Sequence, residues 1–290
     1  MIKEIIDKLV ALLAVSALLA SCSESELWQN PQTEARDGYI MLNFKTEIPA
    51  MQEVVTRAVD PDGGGVQDMT LFCFDSYGLF ISTVKAGVTV QKPGPGEMEG
   101  TFKAEVPENT RTIHFLANQN MDEFKEDSFR NKSESEVMAV LEGSSGRMIY
   151  WGRFACDAGN DSNIAEQMAT SGNSVKLIRN HARISVDNPD NNGHIVITGF
   201  AVCNTNAFGT VAPHHPKKGF DFTWPSSDDP FVTLPVNDAK MSDITDVTSS
   251  MNQYVFECEN SADAPVSVIL RGHLPDQDAE KYYRALLADD

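Results

Sequence analysis

Apolar residues in this chain alternate with polar ones in short bursts, and each burst is soon cut off by Pro, Gly, Asn or Asp. Phe102, Ala104 and Val106 alternate in this way, as do Ile113, Phe115 and Ala117. A period of two places every second side chain on one face, so both segments predict half-buried strands. Residues 38–44 read as a first strand. Met69-Thr-Leu-Phe-Cys-Phe74 is apolar on both faces, which predicts a central strand. Asp75-Ser-Tyr-Gly78 supplies a turn, and residues 79–84 return as its hairpin partner. Asp60-Pro-Asp-Gly-Gly-Gly65 and Lys92-Pro-Gly-Pro-Gly96 predict loops, because Pro and runs of Gly do not hold a strand. The longest alternating stretch covers 175–186. A turn over 187–193 follows it, and strand character resumes over 194–203 and near 254–258, 266–271 and 282–287. Two short helices are expected. Ser133-Glu-Ser-Glu136 has the spacing of a capping box, with Val137, Met138 and Leu141 at helical intervals behind it. Residues 161–170 form the second. Many short strands, few helices and frequent turn residues predict an all-β fold of antiparallel β-sandwiches.

The first residues follow a different rule. Leu9-Val-Ala-Leu-Leu-Ala-Val-Ser-Ala-Leu-Leu-Ala-Ser-Cys22 is an apolar run behind a short charged head of Lys3, Glu4, Asp7 and Lys8. A spanning helix needs roughly 20 apolar residues, so the run fits the h-region of an export signal over residues 1–21. Small residues ahead of a single Cys resemble a bacterial lipobox. On that reading the chain is cut before Cys22, and the Cys22 thiol carries lipid, palmitate among its acyl chains. Ser23-Glu-Ser-Glu26 then opens a flexible acidic tether over 22–36. A double acyl anchor holds stably, each buried methylene contributing about 0.8 kcal/mol.

Composition narrows the partners. The net charge is −19 and the pI is near 4.6. Lys and Arg are too few and too scattered to track phosphates, so no nucleic acid partner is expected. Four cysteines follow Cys22, at 73, 156, 203 and 258, with no C-x-x-C among them. Cys73 and Cys203 sit in apolar stretches that fit buried free thiols. An oxidising compartment also permits a disulfide, whose pairing the sequence leaves open.

The residue patterns that carry chemistry are thin. There is no Gly-x-Ser-x-Gly elbow, no His-Glu-x-x-His and no P-loop. Carboxylates are plentiful, but nothing isolates two of them as a catalytic pair. No catalytic residue, cofactor or metal is therefore expected, and the chain reads as a non-enzyme. His214-His215 lacks a third ligand, and adjacent residues of an extended chain point apart. The loop starting at Asn188 echoes an EF-hand, but its twelfth position is Gly199 rather than Glu. Asp60, Asp62 and Asp68 form a loose acidic group, with weak calcium binding as the alternative to a solvated loop. Trp28, Trp151 and Trp224 raise the question of sugar stacking. Trp224, in Phe220-Asp-Phe-Thr-Trp-Pro225, is the candidate, and the competing reading has Trp151 and Trp224 filling sandwich cores.

Several segments, taken in order, resemble the fimbrillin superfamily, the pilins and accessory lipoproteins of type V pili. They are the lipobox at Cys22, Arg57-Ala-Val-Asp60, and Met69-Thr-Leu-Phe-Cys-Phe-Asp75 leading to Gly78. Ile113-His-Phe-Leu-Ala-Asn118, Tyr150-Trp-Gly152 and Leu177-Ile-Arg-Asn-His-Ala-Arg-Ile-Ser-Val186 follow. Tyr254-Val-Phe-Glu-Cys-Glu-Asn260 and Tyr282-Tyr-Arg284 complete the series. The resemblance implies two transthyretin-like sandwich domains, over 37–174 and 175–290. It also implies a structural component of a surface pilus (fimbrial subunit, tip or anchor), held at the outer membrane and serving adhesion. Partners would be other pilus subunits joined by β-strand addition, after an arginine-specific cut for which Arg57 is the candidate. In the family further strands follow the Tyr-Tyr-Arg motif, whereas six residues follow Arg284 here. A short branch and a truncated second domain both fit that difference. A glycan-binding surface lipoprotein, using Trp224, is the alternative function.

Overall fold

The computed structural model describes residues 35–48, 65–93, 98–122, 124–144, 148–186, 195–214, 231–237, 244–246 and 252–287. The fold is all-β. In chain order the first strands are β1 (Tyr39–Glu47), β2 (Met69–Phe74), β3 (Phe80–Lys85), β4 (Gly87–Pro93), β5 (Met98–Pro107) and β6 (Thr112–Ala117). A 3-10 turn (Glu126–Phe129) and helix α1 (Glu134–Met138) precede β7 (Glu142–Ser144) and β8 (Tyr150–Ala155). Helix α2 (Ile164–Thr170) leads to β9 (Ser174–Lys176), β10 (Ile178–Arg179) and β11 (His181–Ser185). Then come β12 (Val196–Cys203), β13 (Phe208–Thr210), β14 (Thr245–Asp246), β15 (Asn252–Phe256), β16 (Ser267–His273) and β17 (Lys281–Leu286).

Two sheets form the larger sandwich. The first has the order β4-β5-β1-β9 and the second β10-β8-β6-β2-β3. Alternation in β1 turns Ile40, Leu42 and Phe44 inward, and the same period in β5 turns Phe102, Ala104 and Val106 to meet them. Leu71, Cys73, Ile113, Phe115 and Tyr150 rise from the second sheet to complete this core. Phe44 stacks on Phe102 at 5.5 Å and meets Phe115 edge-on at 5.0 Å, geometries that aromatic rings prefer. Helix α2 closes one end with Ile164, Ala165 and Met168.

The second sheet also has a covered outer face. Phe72, Phe74, Leu116 and Trp151 point away from the first sheet and are buried under Phe129, Val137 and Met138 of the 3-10 turn and α1. Val211, Ala212 and Val232, from later in the chain, extend that cover. Strand β6 therefore departs from the half-buried expectation, since all six of its residues are buried. Its polar positions, Thr112 and His114, face a second layer of protein rather than water. Trp151 fills this layer with no exposed surface.

Both expected helices form, each with a capping box. Ser133 closes around Glu136 in α1, and Asn163 around Glu166 in α2. The stretch 175–186 is not one strand. It divides into β9, which runs parallel to β1, β10, which pairs with β8, and β11, which pairs with β15. Leu177 N donates to Glu47 O and Asn180 N to Ile149 O, so the breaks between strands are themselves hydrogen-bonded. Strand β4 was not foreseen at all. It runs into the expected loop as far as Pro93 and forms an edge of the first sheet, where a missing N–H is tolerated.

Beyond Asn180, β11 and β15 pair with each other and face the sheet β14-β12-β16-β17 across a small core of Val186, Phe200, Val202, Val266 and Val268. The ribbon β7–β13 links the early and late parts of the chain. All four cysteines after Cys22 are free thiols. Burial pushes the Cys73 thiol up to about 12, against a smaller lowering from Thr110, which leaves it unreactive.

Asn118 ends β6 in the left-handed region, at φ 64. Its Oδ1 accepts from Gln67 N at 2.8 Å, and its Nδ2 donates to Gly65 O at 2.7 Å and Met148 O at 3.1 Å. One side chain thus joins the approach to β2 with the approach to β8. Asn118→Ala should lower unfolding stability by about 2–4 kcal/mol, from unsatisfied buried carbonyls and a strained backbone. Urea unfolding of the whole chain measures it.

Candidate functional site

The seat of β1 is the candidate site. Its side chains Ile40, Leu42, Phe44, Thr46 and Ile48 enter the sandwich core, none more than 7% exposed. On one side it pairs antiparallel with β5 over eight residues, Tyr39↔Pro107 to Thr46↔Gly100. On the other it pairs parallel with β9 over three residues, Lys45↔Ser174 to Glu47↔Lys176. The strand is thus an insert between two neighbours that do not touch each other. Burying Ile40, Leu42, Phe44 and Ile48 contributes on the order of 10 kcal/mol as an upper bound, at roughly 1.5–3 kcal/mol each.

Polar contacts fix the ends. Arg36 binds Glu105 twice, through its backbone N at 2.7 Å and its Nε at 2.6 Å, and its guanidinium lies 4.3 Å from the Tyr39 ring centre. The backbone hydrogen bond from Arg36 leads the lowering of the Glu105 carboxyl, and the guanidinium adds to it. At the other end Ser174 Oγ donates to Glu47 Oε1 at 2.5 Å, which with Lys45 holds that carboxyl below its usual range. Inside, the fit is imperfect. Thr46 Oγ1 is fully buried and has no hydrogen-bond partner among the described residues.

No family model matches the chain, and no curated protein does. Several solved structures are similar to it, three of them as follows. One is a candidate cell adhesion protein from Parabacteroides distasonis ATCC 8503, with TM-score 0.47 and 14% identity, covering 84% of this chain and 80% of that one. Another is a candidate cell adhesion protein from Bacteroides eggerthii DSM 20697, with TM-score 0.42 and 13% identity, covering 85% and 79%. The third is the tip fimbrial protein Mfa3 from Porphyromonas gingivalis with a C-terminal truncation, with TM-score 0.49 and 12% identity, covering 86% and 82%.

Cys22, Arg57 and Trp224 lie outside the described residues, as do Trp28, Asp60, Asp62, His215 and the loop 187–194. Asp68 accepts the backbone N–H of Asn118 at 2.9 Å, and His214 is held by Val232 O and Glu257. Among the described residues, no three His, Cys, Asp or Glu side chains gather to hold a metal, and no helix is long and apolar enough to cross a membrane.

Sequence reasoning missed a buried polar cluster on the outer face of the second sheet. Glu134, at the start of α1, accepts from Arg153 Nε at 2.6 Å and Nη2 at 3.1 Å, a two-pronged pair. His114 Nε2 lies 2.7 Å from the same carboxylate. Trp151 Nε1–H donates to His114 Nδ1 at 3.1 Å, so the neutral ring carries its proton on Nε2 and donates to Glu134. Burial alone would raise the Glu134 carboxyl, but the hydrogen bonds from His114 and Arg153, with the charge of Arg153, hold it at about 2. Burial lowers the His114 value, outweighing the opposite pull of Glu134. The only signal in the sequence was a His at an alternating position of a strand.

Two outcomes follow from the β1 seat, both read by urea unfolding. Thr46→Val should stabilise the chain by about 1–2 kcal/mol, because a buried hydroxyl without a partner is removed at constant shape. Phe44→Ala should destabilise it by about 3–5 kcal/mol. A third concerns acid. Glu134 binds its proton more weakly when folded, so its contribution is complete above about 4.5 and drains as pH falls towards about 2. Glu134→Gln should therefore flatten the loss of stability between pH 4.5 and 2 relative to the parent chain.

Proposed function

We propose that this chain is an exported structural component of a surface pilus, of the fimbrillin type, built of two sandwich modules and assembled by β-strand addition for adhesion. The supporting observation is the seat of β1. This strand supplies side chains to a core that the rest of the chain surrounds, and it is joined to β2 through the segment that contains Arg57. A cut after Arg57 leaves β1 attached by packing and hydrogen bonds alone. The cut fragment keeps Cys22 and its lipid at the outer membrane, while the body becomes free to accept a replacement strand from a neighbouring subunit. Main-chain hydrogen bonds to β5 and β9 supply affinity for the newcomer, and the alternate pockets vacated by β1 select its side chains.

The displacement has an energetic condition. The fragment is held on the order of 10 kcal/mol by apolar burial, so it does not leave an empty groove behind. A competing strand must fill the same pockets as it enters. An uncut chain keeps its own strand and its own lipid, and serves as the anchor.

N-terminal analysis of the mature protein separates these roles. A start at Ala58 marks a polymerising subunit, and an acylated Cys22 marks an anchor. Purified pili should contain the chain in either case. If it never co-purifies with a pilin and its deletion leaves fibres intact, the pilus reading is overturned.

A further inference from the structure

We propose that His114 is an acid-sensitive clasp: its neutral ring pins helix α1 and residues 231–232 to the outer face of the second sheet, and protonation releases both while the two-sheet core stays folded. The geometry leaves no place for a second ring proton. Trp151 Nε1–H already points at Nδ1 from 3.1 Å, so protonating Nδ1 would set two donors against each other. The ring is sealed as well. Phe231 stacks on it at 5.6 Å with an interplanar angle of 11°, and Phe74 lies edge-on at 5.3 Å. A charged imidazolium needs water or a free counter-charge. Glu134 is already engaged in the fork from Arg153.

Among the described residues, the charged groups facing the ring are Glu134 from α1 and Arg153 from β8. Strand β2 presents Phe74, and the late segment presents Phe231. Before protonation the three ionisable groups sum to zero net charge, and afterwards to one positive charge inside a sealed layer. Relief comes by lifting the weaker side. Strands β6 and β8 are tied into ladders on both edges, whereas α1 has five residues and residues 231–232 form no part of a sheet.

The direction follows from linkage. Burial lowers the ring's value in the closed form, while an opened ring returns to about 6.5. Closure is therefore fully favoured above that value and weakens as pH falls. With the closed ring unprotonated, the open fraction grows roughly 30-fold between pH 7.4 and 5.0. Glu134 loses its contribution only below about 4.5, so pH 5.0 leaves it largely in place. His181, whose value burial lowers to about 4, stays largely neutral in the fold at pH 5.0 but takes a proton wherever its own site opens, so a comparison at fixed His181 is needed.

Hydrogen exchange of the full chain, followed by mass spectrometry at pH 7.4 and 5.0 and corrected for intrinsic amide rates, tests the clasp. Peptides over 126–141 and those starting at Phe231 should open up to roughly 30-fold more at pH 5.0, while peptides from β2 and β6 stay strongly protected at both pH values. In His114→Gln the amide oxygen can accept from Trp151 and the amide N–H can donate to Glu134, with nothing to titrate, so the increase should vanish. Trp151→Phe frees Nδ1 to take a proton in the closed form, which narrows the difference between closed and open rings, so the acid-driven increase should shrink. The proposal is overturned by an equal increase in His114→Gln, by no increase in the parent chain, or by an increase spread evenly over β2 and β6. If His114→Gln does not fold, the Trp151→Phe comparison decides, and an undiminished acid-driven increase overturns the clasp.

Discussion

Strands β2 and β6 are buried along their whole length, so the sheet that holds them has no wet face over its centre. Much of the architecture follows from that constraint. One face meets the first sheet. The other must be covered, and the cover comes from two distant parts of the chain, the 126–138 region and the later Val211, Ala212, Phe231 and Val232. Polar side chains on the covered face cannot remain unpaired, because a buried polar group without a partner costs about 1–3 kcal/mol and a charge costs more. Glu134, Arg153, His114 and Trp151 answer this together, each supplying what its neighbour lacks. Removing one partner would strand the others in a dry layer.

The same sheet determines how tightly β1 is seated. Phe115 meets Phe44 from below, so the pocket β1 fills has a firm floor. Gly152 contributes at the margin. A Cβ there would lie 2.6 Å from Lys176 O, so glycine lets the chain after β9 cross close over β8. That crossing carries the chain from one sheet to the other and brings β9 against β1. The groove walls are therefore built by parts of the chain far from β1 in sequence.

Segments with a strong local pattern were legible before any coordinates. The alternation of β5, the two-faced apolarity of β2 and the capping box at Ser133 express themselves over a few residues, and the structure follows them, whereas β6 forms as a strand but is buried on both faces. What escaped were features set by partners. His114 sits at a position that alternation assigns to solvent, and only the register β2–β6–β8 brings it beside Trp151 and Arg153. The stretch 175–186 alternates with a single slip of phase at Leu177-Ile178, and one slip does not reveal that the chain changes sheet twice. Strands β7, β13 and β14 are two or three residues long and carry no periodicity to read. For the candidate site, β1 was legible as a strand, but its parallel contact with β9 was not, because that pairing joins residues about 130 positions apart.

Strand β17 gives a useful contrast with β1. All six of its residues are exposed, and Tyr282 and Leu286 each keep 59% of their surface. Among the described strands it pairs with β16 alone. Such an edge offers main-chain hydrogen bonds to any extended segment and asks little of its side chains. The β1 seat offers hydrogen bonds on two sides and fixes the identity of every second residue through a closed core. On the strand-addition reading, this difference decides where an ordered fibre can grow. Affinity is available at either place, but selectivity needs pockets, and among the described strands β1 occupies the seat that joins pockets to the connection which that reading would have cut.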